Sequence, residues 1–251
     1  MKLTGVIITF NEERNIDRCL RSLKSVCDEI IVLDSFSTDR TAEICQSHHV
    51  TFFQHVFDGH IQQKNRALQM AETDWVLSLD ADEALTDELA AAIIQVKNGP
   101  KAEAYSFNRL TNYCGYWVKH CGWYPDTKTR LVMKSKAAWM GVNPHDRLAL
   151  IEDGKIGRLT GDLLHYSYYT KEDHFKQIDY FGKIAAKELF DQGKNISWGL
   201  LYVKVLNQFV KSFVIKTGFR DGKTGFLISV RSAYATYVKY RLLRKLNTGK
   251  Q

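Results

Sequence analysis

The stretch Asp74-Trp75-Val76-Leu77-Ser78-Leu79-Asp80-Ala81-Asp82-Glu83 sets a short apolar run directly against three acids in four positions. A run apolar on both faces suits a strand covered by helices on each side. Side chains at i and i+2 of an extended segment point the same way, so Asp80 and Asp82 present their carboxylates together. No Lys or Arg stands within several residues to neutralise them. A hard divalent cation held by carboxylate oxygens and a diphosphate would remove that cost. The alternative for any one of these acids is a turn former or helix cap.

Upstream, Leu3–Thr9 and Glu29–Asp34 read as buried strands, as do 50–53 and 74–80. Helical patterns lie between them: Ile16, Cys19, Leu20 and Leu23; then Ala42, Ile44 and Cys45; then Ile61, Asn65, Leu68 and Met70. A fourth follows Thr86 to Val96. This alternation implies right-handed crossovers and an α/β fold with a mainly parallel central sheet. Ligands of such sheets bind beyond the carboxyl ends of the strands. Three strands end there in polar groups, Thr9/Asn11, Asp34/Ser35 and Asp80/Asp82. From 105 to 165 short strands at 105–109, 130–134 and 159–166 indicate an α+β second half, followed by a helix over 171–192.

The 251 residues, 45% hydrophobic and 25% charged with three Pro, describe a globular chain with one core and length for an appendage. Five Cys, odd in number and without a Cys-x-x-Cys pair, argue against a disulfide framework or structural zinc as the organising device and point to a reducing cytoplasm. Cys114 and Cys121 read as two buried thiols, with pairing as the alternative. No signal core and no run of eighteen uncharged apolar residues is visible, so the expected location is cytoplasmic.

The net charge of +7 is unevenly placed: 201–251 holds 11 Lys/Arg against Asp221 alone. Trp198, Tyr202, Val205, Phe209 and Phe213 form one helical face, with Lys204 and Lys211 stacked on another. The pattern repeats over 226–246 with Val230, Tyr234 and Tyr237. Such helices fit an anionic membrane surface, or packing against the catalytic body with solvated cations. No recognition motif supports nucleic acid as a partner.

Four segments together resemble family 2 glycosyltransferases in order and spacing: Val6-Ile-Ile-Thr-Phe-Asn-Glu-Glu13, Asp34-x-x-Ser-Thr-Asp39-x-Thr41, Gln63-Lys64-Asn65-Arg66-Ala67 and Leu79-Asp80-Ala-Asp-Glu83. The resemblance implies a GT-A fold, a UDP-sugar donor, and an inverting transfer assisted by Mg2+ or Mn2+. The nucleotide-sugar half would be 1–100 and the acceptor half 101–195, followed by a basic amphipathic helical extension over 196–251. Thr9, Phe10 and Glu12 would border the base and ribose, and Asp34 would hydrogen-bond the uracil. Lys64 would face the nucleotide, its alternative being a solvated helix lysine. Asp80 and Ala81 would line the ribose and metal-bound water, and Asp82 would hold the metal. The family often has a second acid at Ser35 and Gly at Phe36, so this chain departs from the pattern there.

Trp139-Met-Gly-Val-Asn-Pro-His145-Asp146-Arg147-Leu148 and Tyr124-Pro125-Asp126-x-Lys128-x-Arg130 resemble a subgroup of that family (the WaaE/KdtX type). That subgroup adds a β-linked glucose to a heptose of the lipopolysaccharide inner core. Asp146 would be the catalytic base, or else an acid held by Arg147 in a surface turn. His145 would orient Asp146 or touch the diphosphate. Lys128 and Arg130 would meet phosphates of a lipid A-core acceptor, or serve as surface charge. His165 is a third metal ligand or a satisfied core histidine. A lipid-anchored acceptor implies peripheral attachment to the cytoplasmic face of the inner membrane. The alternatives are a family member using a polyprenyl-phosphate or capsule acceptor, and a nucleotidyltransferase, which normally wants a Gly-rich phosphate loop where this chain has Asn-Glu-Glu.

Overall fold

The computed structural model describes residues 1–142 and 145–249, His145 by its backbone only. These divide into two compact units, residues 1–110 with 126–142 and 145–166, and residues 111–125 with 167–249. The division differs from the sequence-based boundary at 195/196, because the helix at 171–191 groups with the C-terminal helices.

The first unit opens with β1 (Leu3–Thr9), α1 (Ile16–Leu23), β2 (Glu29–Asp34), α2 (Thr41–Ser47), β3 (Thr51–Gln54), α3 (His60–Met70) and β4 (Trp75–Asp80). It continues with β5 (Glu83–Leu85), α4 (Asp87–Lys97), β6 (Ala104–Tyr113), β8 (Asp126–Met133), β9 (Ala137–Val142), β10 (His145–Leu150) and β11 (Ile156–Tyr168); the end of β6 belongs to the second unit and pairs there with β7 (Tyr116–Trp117). The strand order is β3-β2-β1-β4-β8-β6-β11-β5.

Strands β3, β2, β1 and β4 run parallel, as βαβ crossovers require. From β4 onward the pairings β4–β8, β6–β8 and β11–β5 are antiparallel. The sheet is therefore mixed, where the sequence led us to expect a mainly parallel one. Strands β8, β6, β11 and β5 carry the difference, since antiparallel neighbours need no crossover helix, and the β9–β10 hairpin forms a separate two-stranded sheet.

Consecutive residues of the central strands feed opposite faces. Ile7, Val32, Leu77 and Leu79 join Leu20, Leu23, Leu89 and Ile93 on one side, while Val6, Ile31, Val76 and Val132 join Leu68, Trp139 and Leu148 on the other. The hairpin thus belongs to the core through Trp139 and Leu148, which sit opposite each other in its register. Gly161 (φ +85) lets β11 cross the start of α4, where a Cβ would lie 2.4 Å from the Leu89 nitrogen. Thr86, which caps α4 by accepting from the Leu89 N–H, also donates to the Asp162 carbonyl and accepts from its N–H.

In the second unit, α5 (Lys171–Asp191) starts at a capping box of Thr170 and Asp173. Then come α6 (Trp198–Val210), a π-helical turn at Lys211–Ile215, a 3-10 turn at Gly218–Asp221 and α7 (Gly222–Asn247). A Cβ on Gly225 would meet the Gly218 carbonyl at 1.9 Å, so the turn can fold onto α7 only with glycine there. All five cysteines are free, and Cys114 is exposed rather than buried. Among the described residues no helix is long and apolar enough to cross a membrane.

Candidate active site

Registers bring the three polar strand ends to one edge: Thr9 pairs with Asp34, and Ile8 with Asp80. The loops after β1 and β2 are then laced together. Asn11 (φ 55) donates its N–H to Ser37 Oγ and accepts from the Thr38 N–H at 2.8 Å. Glu12 N–H donates to Thr41 Oγ1, and Glu13 N–H to Asp39. The Asn-Glu-Glu and Ser-Thr-Asp motifs are thus two halves of one hydrogen-bonded structure.

Asp34 is fully buried, and its oxygens accept from the Ser37 N–H, Ser37 Oγ and Gln54 Nε2. It organises the turn, with much of the acceptor capacity expected for uracil already in use. Phe36 sits at φ 62, a left-handed position that explains the glycine of the family pattern. Phe10 and Phe36 are both exposed on this rim. Thr9 Oγ1 is buried without a hydrogen-bond partner among the described residues, as are Trp139 Nε1 and Arg130 Nε. Orphaned polar atoms of this kind call for water or ligand.

Glu12 accepts from Asn15 Nδ2 at 2.7 Å. Burial pushes its carboxyl up to about 7, and Asp82, Asp39 and Asp80 add to the rise. Ala81 is buried between the two aspartates.

The acids of β4 and β5 lie in an alternating chain of charge. Asp126 pairs with Arg109 (2.8 Å) and Arg109 with Glu83 (3.4 Å). Glu83 meets Arg130 (2.9 Å), and Arg130 meets Asp80 (3.1 Å). Lys64 then joins Asp80 (2.8 Å) to Asp146 (2.9 Å). The neutralising cations that local sequence lacks arrive from α3, β6 and β8. Burial alone would raise the Asp80 carboxyl, but Lys64 and Arg130 outweigh it and hold it well below the usual carboxylate range. Burial likewise opposes ionisation of Arg130, yet Glu83 and Asp80 leave its pKa above the ordinary guanidinium value.

Several expectations are corrected here. Lys64 is no solvated lysine: it is buried, with Nζ 4.2 Å from the Trp139 ring centre. Arg130 is neither surface charge nor free for an acceptor phosphate, because it is buried on Asp80 and Glu83. Lys128 is partly exposed and pairs with Asp126 at 3.0 Å. Asp146 lies on β10, opposite Gly141, and is held by Lys64 rather than by Arg147 in a turn. The side chain of His145 lies outside the described residues. Glu83, Arg109 and Trp139 were not assigned a role from sequence, although Glu83 and Trp139 stand inside the quoted motifs.

His165 pairs opposite Glu83 on β11, and its Nε2 lies 3.2 Å from Asp82 Oδ2. Burial raises the Asp82 carboxyl, but His165 lowers it further. Among the described residues no three His, Cys, Asp or Glu side chains form a cation cage. Asp82 with His165 nevertheless fits Mg2+ or Mn2+ chemistry, in which one or two protein ligands are completed by substrate phosphates and water.

Residues 4–145 match the family described as Glycosyl transferase family 2. The chain belongs to this family. It is 32% identical to the RP128 glycosyltransferase of Rickettsia prowazekii, across 100% of this chain and 89% of that protein. It is 24% identical to LpsC of Rhizobium meliloti, named a lipopolysaccharide core biosynthesis glycosyltransferase, over 95% and 90% of the two chains. The crystal structure of S. aureus TarS 1–349 in complex with UDP-GlcNAc is similar at 14% identity and TM-score 0.50, covering 99% of this chain and 92% of that one, a likeness of fold. In this family 2 glycosyltransferase the edge carrying Thr9, Asp34, Asp80 and Asp82 is the candidate active site.

Proposed function

We propose that the chain is an inverting, metal-dependent hexosyltransferase that moves glucose from UDP-glucose to a heptose of a lipopolysaccharide or lipooligosaccharide inner core. The observation carrying this reading is Lys64, whose single ammonium joins Asp80 on the donor side to Asp146 on the β9–β10 hairpin. Donor carboxylate and candidate base are thereby fixed about one cation apart, the positioning that a two-substrate transfer needs. The relative named for lipopolysaccharide core synthesis, similar over nearly the whole chain, supports the acceptor.

Thr9, Phe10 and Glu12 border the base and ribose, with Asp34 shaping the turn beneath. Asp82 and His165 would hold Mg2+ or Mn2+, which supplies charge neutralisation for the departing diphosphate. Lys64 orients Asp146 through Oδ2. The Asp146 carboxylate removes the acceptor hydroxyl's proton as that oxygen bonds to the anomeric carbon and the bond to diphosphate breaks. The protein works at the cytoplasmic face of the inner membrane. Leu200, Val203, Leu206 and Val210 support that location, being exposed at helical spacing along α6.

UDP release from a panel of UDP-sugars, with and without manganese, tests the reading in the parent and in Asp82→Ala. Metal-dependent release from UDP-glucose with a heptose-terminated core acceptor, lost in the variant, is the expected result. Release that is indifferent to metal and to Asp82 would overturn the mechanism. Turnover only with another donor or acceptor would overturn the substrate assignment. For attachment, Val203→Glu with Leu206→Glu should abolish sedimentation with phosphatidylglycerol vesicles.

A further inference from the structure

The second unit contains a cleft of about 430 Å³ between α6 and α7, lined by Lys204, Lys211 and Lys239 with Asn207, Gln208 and Thr236. Two of these ammonium groups approach the same aromatic ring: Lys204 Nζ lies 5.5 Å and Lys239 Nζ 4.7 Å from the Tyr240 centroid. Among the described residues none of the three lysines meets a carboxylate. From 201 to 251 the chain offers only Asp221, and that acid is engaged by His120 and Tyr116.

Three like charges lining one cleft without a carboxylate partner raise the free energy of the unliganded protein, and an anion entering the cleft relieves it. Lysines on a solvated helix would gain by splaying apart. Here the Tyr240 ring attracts two of them by cation–π contact. The Asn207 and Gln208 amides supply further hydrogen-bond donors, as a multi-oxygen anion requires. Ile215, also lining the cleft, is 67% exposed, so one rim is apolar.

We propose that this cleft is a binding site for a phosphate group, distinct from the glycosyl-transfer centre of the first unit. Two sources share that chemistry, the headgroup of an anionic lipid and the phosphate of a soluble phosphorylated molecule. The inference does not depend on the donor, acceptor or metal proposed above, and it is read by binding alone.

The full chain is compared with Lys204→Gln/Lys211→Gln/Lys239→Gln and with a control of equal charge loss, Lys183→Gln/Lys187→Gln/Lys245→Gln. The control lysines line a separate cavity between α5 and the last turns of α7. Two probes are used with EDTA present: inorganic pyrophosphate by calorimetry, and vesicles of phosphatidic acid in phosphatidylcholine by co-sedimentation. The cleft variant should lose at least about tenfold in affinity, given the contribution of each cation near an anionic surface, while the control stays within about twofold. Loss confined to vesicles identifies the lipid headgroup, and loss with pyrophosphate identifies a soluble phosphate; either supports the site. Equal losses in both variants, or no loss in the cleft variant with either probe, would overturn it. Near-parental far-ultraviolet circular dichroism of both triple variants separates loss of the site from loss of fold. A failed UDP-release assay leaves these outcomes unchanged, so the two proposals fail separately.

Discussion

Replacing Lys64 with Met removes one buried cation and leaves two carboxylates facing its place. Nζ stands 2.8 Å from Asp80 and 2.9 Å from Asp146, with 8% of its side chain exposed. At an effective dielectric of about 20, each contact is worth roughly 6 kcal/mol before desolvation is subtracted. Breaking a buried pair by removing one partner costs about 3–5 kcal/mol in total. Arg130 remains on Asp80, so the lower end, about 3 kcal/mol, is expected. That is a large share of the 5–15 kcal/mol available to an ordinary domain. The assay is urea unfolding of Lys64→Met against the parent from pH 3 to pH 8, with UDP release measured alongside.

The pH dependence has a defined sign. Asp80 is depressed by Lys64 and Arg130 in the folded protein, so its contribution is present above its ordinary value of 3.8 and lost as pH falls below it. The gap between parent and variant should therefore be widest above pH 5 and narrow toward pH 3. A variant within about 0.5 kcal/mol of the parent at pH 7 would refute the reasoning, since a substitution costing that little resembles a surface change.

Asp146→Asn should lower kcat by about 10²–10⁴ with little effect on UDP affinity, as loss of a general base does; unchanged turnover would exclude it from that role. His165→Ala should weaken manganese binding, measured by calorimetry with UDP present, by about tenfold or more, while UDP binding in EDTA stays unchanged. Glu12→Gln should flatten the stability profile between pH 4.5 and pH 8. Because burial raises the Glu12 carboxyl from 4.5 to about 7, the folded state holds the proton longer, and stability falls as pH climbs through that window. The shift corresponds to up to about 3 kcal/mol, recovered in the variant at pH 8 and read by denaturant unfolding.

The parallel half of the fold was legible in the sequence because its determinants are local. β1 and β2 fall on Leu3–Thr9 and Glu29–Asp34 as the apolar runs indicated, and α4 (Asp87–Lys97) follows Thr86 where the fourth helical pattern stood. The shared edge of Thr9, Asp34 and Asp80 follows from parallel crossovers, which bring all the carboxyl ends to one side. Motif resemblance also pointed to Asp146, and the strand-end position of His165 raised it as a metal ligand or core histidine; the structure sets it 3.2 Å from Asp82.

The partners of those residues were not legible. Asp146 lies 82 positions from Lys64, Arg130 lies 47 from Glu83, and Asn65 bonds the Trp139 carbonyl across 74. No periodicity relates residues so distant. What joins them is the antiparallel β8 strand beside β4 and the β9–β10 hairpin packed on α3 through Trp139. The same holds for the tail. Sequence showed an apolar stripe on α6, whereas the structure stacks Trp198 on Tyr202 and Phe209 on Phe213 while leaving Leu206 and Val203 exposed. Sequence alone determined the strands and helices of the parallel half, the acids at the sheet edge and the uneven charge, because backbone preference and side-chain alternation act over a few residues. Which charge neutralises which, and which apolar face stays open, depended on the tertiary structure, because those energies belong to contacts that exist only once the chain has folded.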